Sequence, residues 1–183
     1  MIGIAQGEKR DRLSKALVTR LGNSAELPGM GANPDFTHEI PYPEGLIERS
    51  MRVGKGIYDT LGIDRNDSAA RFRFLERNYE FFGAPVAMFV YIHKSLHIYA
   101  AADAGLMMEN LMLSAHAHGL GTCAQGAVAF WDDAIRDEFE VSKDYRLLCG
   151  IAVGYPSDAP VNSFQAHRIG LDELLAKTKQ KKK

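Results

Sequence analysis

Residues 110–130 read NLMLSAHAHGLGTCAQGAVAF, and the fold turns on how that stretch is divided. Its first half continues a run with helical periodicity. The segment from about Tyr99 to His118 predicts a long helix, with Leu106 and the stretch Met107 to Leu113 making it apolar on nearly every side. A helix of that kind is expected at the centre of a molecule. Gly119 then stands where a left-handed residue closes a helix. Beyond it, GLGTCAQG lacks the Gly-Lys-Ser/Thr ending of a phosphate loop. Spacing alone gives a tight turn with exposed amides between two helices.

Downstream, Trp131, Ile135 and Phe139 recur at helical spacing and mark a short amphipathic helix. YRLLCGIAVGYP (145–156) predicts a strand, and LDELLAKTK (171–179) a short closing helix. Upstream, PVAMFVYI (85–92) is a continuous apolar run rich in β-branched and aromatic residues, the pattern of a buried strand. AARFRFLERNYEFF (69–82) reads as a helix capped by Asp67 or Ser68 and stopped by Gly83 and Pro85.

Another helix is expected from near Glu44, with Ile47, Met51, Ile57 and Leu61 roughly in phase. Gly54 and Gly56 each weaken it by about 1 kcal/mol relative to alanine, which points to close packing there. At the front, IGIAQ (2–6) reads as a strand. Leu13, Ala16, Leu17 and Leu21 then share one helical face, closed by Gly22. Residues 23–43 hold four prolines and read as a long irregular connection, a kind of segment that is usually functional or mobile. Helices and strands mix without a strict βαβ rhythm, so the expected class is α+β.

The chain has 183 residues, of which 46% are hydrophobic and 25% charged, with a formal net charge of −1. One globular domain over 1–183 follows, ending in a solvated basic tail at 177–183. No overall field recruits nucleic acid or acidic membranes. Cys123 and Cys149 make no disulfide framework. The start lacks the pattern of a secretion signal, and no apolar run reaches membrane-spanning length, so the expected location is the cytoplasm.

Single residues carry little chemistry by themselves. His116 and His118 lie two apart and so point to different faces of a helix, a poor arrangement for a shared metal. Asp132, Asp133 and Asp137 sit where they complement a helix dipole. Cys123 has no nearby helper and reads as a packed or inert thiol before a nucleophile.

In combination the residues say more. DAGLMMENLMLSAHAHGLGTCAQGA (103–127), followed by LLCGIAVGYP (147–156), resembles the FMN-dependent nitroreductase family. IERSMRVGKGIYDTLGIDRNDSAARFRFLERNYEFFGAPVAMFVYI (47–92) is similar to its bacterial members that reduce nitroaromatics. The resemblance covers essentially the whole chain. It implies an α+β homodimer, a nitroreductase-like central sheet flanked by helices, with FMN at the interface between subunits. Cys123, Ala124, Gln125 and Gly126 would present backbone, and Gln125 its side chain, to the isoalloxazine ring. A glycine at 126 suits the close approach of a flat ring. Arg168, in FQAHRIG, matches an arginine that pairs with the FMN phosphate. Tyr79 and Phe82 are aromatics that could line the substrate face, with core packing the equal alternative. The implied reaction is ping-pong: NADH or NADPH delivers hydride and leaves, and a small electron-poor acceptor such as a nitroaromatic or quinone replaces it. No side chain is assigned a catalytic role, and no metal is implied.

The front of the sequence departs from the family. An Arg-x-Ser-x-Arg segment that grips the phosphate, and a Pro-Ser…Asn…Gln-Pro-Trp segment before the first strand, are not found. Losing two charge-assisted contacts of that kind costs on the order of 3–6 kcal/mol. The expectation is therefore an N-terminally shortened member. It is either a working flavoenzyme or a non-catalytic relative that binds flavin weakly or serves as a partner subunit.

Overall fold

The computed structural model describes residues 1–23, 34–36 and 42–176. Most of the 23–43 connection and the basic tail at 177–183 lie outside the described residues. Four strands, β1 (Ile2–Gln6), β2 (Val86–His93), β3 (Gly121–Gln125) and β4 (Tyr145–Gly154), form one antiparallel sheet in the order β1-β2-β4-β3. Around it run α1 (Glu8–Asn23), α2 (Glu44–Leu61), α3 (Ser68–Tyr79), α4 (His97–Ala117), α5 (Asp132–Arg136) and α6 (Leu171–Leu174). This is the α+β arrangement the sequence predicts.

The two central strands alternate their side chains between two layers. Ala87, Phe89 and Tyr91 of β2, with Leu147 and Ala152 of β4, face the main core. That core takes Leu13, Leu17 and Leu21 from α1 and Trp131, Ala134 and Ile135 from the α5 region. Val90 and Ile92, with Cys149 and Ile151, face α4 instead. Burial among apolar neighbours pushes the Cys149 thiol up to about 11. Register shifts between Val90 and Tyr91, where β4 carries one extra residue. Asp35 closes that irregularity: its carboxylate accepts from Leu147 N at 2.8 Å and lies 3.3 Å from the Arg136 guanidinium. Arg136 also pairs with Asp132 and donates to Tyr145 O at 2.6 Å.

Helix ends follow local chemistry. Asp67 caps α3, its carboxylate accepting from Ala70 N at 2.8 Å. At the far end of α4, Gly119 has φ +75°, Gly119 N donates to His116 O and Leu120 N to Ala115 O. Those two bonds make a Schellman closure, which needs a residue at positive φ.

Several expectations change: the helix read on Trp131, Ile135 and Phe139 is a 3₁₀ segment over Ala127–Trp131 followed by α5, with Phe139 outside it, and a Cβ at Gly54 would meet nothing within 4 Å. GLGTCAQ does not remain a turn between helices, because Gly121–Gln125 pairs along β4 as an edge strand. A five-residue strand at the sheet margin draws its identity from its neighbour, a signal its own sequence does not carry. The long helix is not central within the chain: only Ala100 and Ala104 of α4 are buried, while Ile98, Tyr99, Leu106 and Leu113 are exposed. α1 also runs through Gly22 to Asn23 and does not stop at the glycine.

Candidate functional site

β3 is the sheet's outer strand on one side, so one rim of its backbone is not paired with β4. Cys123 and Ala124 on it are exposed. Its last residue, Gln125, pairs with Gly150, and a short 3₁₀ segment over Ala127–Trp131 turns the chain back beneath the sheet. Val128 presses close there: a Cβ at Gly150 would stand 2.5 Å from Val128 Cγ2. A glycine inside an apolar strand is the mark of such an approach, and the sequence displayed that signal.

Gln125 and Gly126 differ sharply. Gln125 is 2% exposed, and its Nε2 donates to Asn78 O, in the last turn of α3, at 2.7 Å. Its Oε1 is buried with no hydrogen-bond partner among the described residues. An orphaned acceptor costs about 1–3 kcal/mol, so a native chain seldom keeps one without cause. Gly126 is exposed, with φ −67° and ψ −32°, and a Cβ there would meet nothing within 4 Å. Neither its dihedrals nor its packing within the chain calls for a glycine.

The turn before β2 is strained. Phe81 and Phe82 have φ of 53° and 52°, beside Gly83 at 82°. A non-glycine residue in that region costs on the order of 1–3 kcal/mol. Arg10 holds the turn: Nε donates to Ala84 O at 3.1 Å, Nη2 donates to Glu80 O, and the guanidinium lies 5.4 Å from the Phe81 ring centroid. Neither Arg10 nor Asn78 was legible as a bracing residue, since Arg10 donates to the Ala84 carbonyl and the Asn78 carbonyl accepts from the Gln125 side chain, each more than forty residues away.

Of the aromatic candidates, Tyr79 is fully buried, its ring 5.0 Å from that of Trp131. Desolvation pushes its hydroxyl up to about 12. It belongs to the core and borders no surface. Phe82 is half-buried, 6.3 Å from Phe74, which meets Tyr58 edge-on at 6.0 Å.

Arg168 lies apart from these groups in the contacts of one chain. It is exposed, and among the described residues its guanidinium has one hydrogen bond, Nη1 to Ala166 O at 3.1 Å. Its segment is carried by α2: Phe164 packs on Gly56, and Arg49 lies 3.8 Å from Glu173. Among the described residues no group of His, Cys, Asp and Glu could hold a metal ion.

Comparison with known proteins fits this geometry. The model of the Nitroreductase family matches residues 56–155. The chain is 33% identical over 178 residues to nitroreductase NfnB of Mycolicibacterium smegmatis, covering 94% of this chain and 71% of that protein. It is 36% identical over 122 residues to 4-nitrobenzoate reductase of Pseudomonas putida, covering 66% of this chain and 54% of that one. Among solved structures, the FMN-dependent nitroreductase NfnB from Mycobacterium smegmatis in complex with NADPH superimposes with a TM-score of 0.87 at 30% identity, over 98% of this chain and 78% of that one. The FMN and NADPH-dependent NfnB from Sphigopyxis sp. strain HMH gives a TM-score of 0.90 at 29% identity, over 98% and 80%. Sequence, fold and the matched segment agree, and the chain belongs to the nitroreductase family.

Proposed function

We propose that this chain is an FMN-dependent oxidoreductase that uses NADH or NADPH to reduce nitroaromatics, quinones or similar electron-poor acceptors in ping-pong order. The observation that carries the reading is the end of β3. There the edge strand is followed by a glycine that its own chain does not require, leaving open space where a side chain would stand. The activities in the names of its relatives support the same reading.

The residues present fit the cofactor. When bound, FMN supplies the redox chemistry, while the protein binds, orients and electrostatically tunes it. Cys123, Ala124 and Gly126 offer exposed backbone to a flat ring. Gln125 contributes its main chain only, because its side chain is turned inward. Arg168 is assigned to the phosphate, which its planar fork of donors suits. Phe82 is the aromatic assigned to the acceptor side, and Tyr79 is withdrawn from that role.

A homodimer accounts for the open face of α4. Ile98, Tyr99, Leu106 and Leu113 exposed on one helix form an apolar surface that a second copy would cover. Among the described residues no helix is long and apolar enough to cross a membrane; the proposed location is the cytoplasm. The deciding test is the visible spectrum of the purified protein after soaking in FMN and desalting. Stoichiometric flavin with NAD(P)H-dependent nitro reduction is expected. A protein that stays colourless would leave a non-catalytic relative or partner subunit as the reading.

A further inference from the structure

We propose that Gln125 is a positioning residue: its side-chain amide, tied to the Asn78 carbonyl, fixes the Gln125–Gly126 backbone against which the flavin ring rests. This deepens the functional reading above and depends on it.

The ladder between β3 and β4 ends at the pair Gln125 and Gly150. Gly126 follows with no strand partner, so the path of the turn is set by what anchors its two flanks. On one side Val128 seats over Gly150. On the other, Gln125 Nε2 reaches Asn78 O at 2.7 Å, joining residues 47 apart in sequence. The far end of that tether is itself braced. Asn78 Nδ2 donates to Leu75 O at 3.2 Å, and Arg10 holds the carbonyls of Glu80 and Ala84 just beyond α3. One amide N–H is committed to Asn78 O and the side chain is 2% exposed, so Gln125 acts through its backbone and not by touching a ligand with its amide.

The chemistry of the bond selects the residue. The Asn78 carbonyl needs a donor. A glutamine supplies one at every pH, a methionine at none, and a glutamic acid only while protonated. A carboxyl buried against a carbonyl oxygen is held neutral, so its folded pKa rises above the ordinary value of about 4.3. The sign follows: in Gln125→Glu the tether is present at low pH and is lost as pH rises through the raised folded value. The neighbouring Tyr79 hydroxyl, pushed up to about 12, is silent in that window.

The experiment compares FMN dissociation constants of the full chain, Gln125→Glu and Gln125→Met, each as a ratio to the unmodified protein at the same pH, alongside melting temperatures without FMN. The expected ratio for Gln125→Glu is near unity at about pH 5 and at least about tenfold weaker at about pH 8, with Gln125→Met weakened at both. Ratios near unity for both variants at both pH values overturn the proposal. So do variants that melt lower yet bind FMN as the unmodified protein does, because the contact is then structural only. If the unmodified protein binds no FMN, the functional reading fails and the positioning role fails with it. A Gln125→Glu melting temperature that still falls with rising pH would then place the fault in the reading and not in the tether.

Discussion

The ring of Phe164 occupies the space that a side chain at residue 56 would need: a Cβ on Gly56 would stand 2.5 Å from Phe164 Cε2. Through this contact α2 carries the segment that leads to Arg168. Gly54, two residues away, has nothing within 4 Å of the same construction.

Gly54→Ala is therefore expected to gain the helix propensity of alanine, about 0.5–1 kcal/mol, where Gly56→Ala gains none or loses stability. In a Phe164→Ala background the two substitutions should become alike. A double-mutant cycle on urea unfolding measures the coupling, and additive effects would mean that the ring does not seat on Gly56 in solution.

Arg168→Ala should weaken FMN binding about tenfold or more while leaving unfolding unchanged, because the side chain is exposed and, among the described residues, bonds only within its own segment. Fluorescence titration with FMN reads the first effect and thermal melting the second. Unaltered affinity would remove Arg168 from the phosphate.

Arg10→Met keeps the aliphatic stem and removes two donors from the strained turn before β2. With Phe81 and Phe82 at positive φ, the turn depends on those bonds. A loss of about 2–3 kcal/mol in urea unfolding is expected. A midpoint shift close to zero would show that packing of Phe81 alone holds the conformation.

Tyr79 gives a prediction at alkaline pH. Burial lifts its folded pKa from 10.0 to about 12. The unfolded chain therefore loses this proton first, and stability falls as pH rises from the unfolded value through the folded one. The contribution at stake is about 2–3 kcal/mol. Tyr79→Phe also removes a hydroxyl that is buried without a partner among the described residues. The variant should be no less stable than the parent near neutrality and should lose less stability above about pH 10. Parallel pH–stability curves for the two proteins would contradict this.

Elements that declare themselves locally were legible in the chain. The apolar runs of β2 and β4 are long enough to read as buried strands, Asp67 caps α3 as its position predicts, and Gly119 closes α4 through its left-handed backbone. The family resemblance also rests on local strings, and it led to the Cys123–Gly126 stretch. What the residues there do was less legible, because direction and burial are set by partners remote in sequence. Gln125 could be numbered as a site residue, yet its inward turn depends on Asn78 O, which only the packing of α3 against α1 and the 3₁₀ segment over Ala127–Trp131 supplies.

The sequence by itself thus determined the α+β class, the strands with strong apolar character, the helix limits at Asp67 and Gly119, and the family. Those properties follow from periodicity and backbone preference within a few residues. Only the tertiary structure decided that Gly121–Gln125 is an edge strand, that Tyr79 is core, and that α4 leaves Ile98, Tyr99, Leu106 and Leu113 exposed. Each of those depends on pairing or docking between segments far apart in the chain, where a short stretch takes its conformation and its exposure from whatever packs beside it.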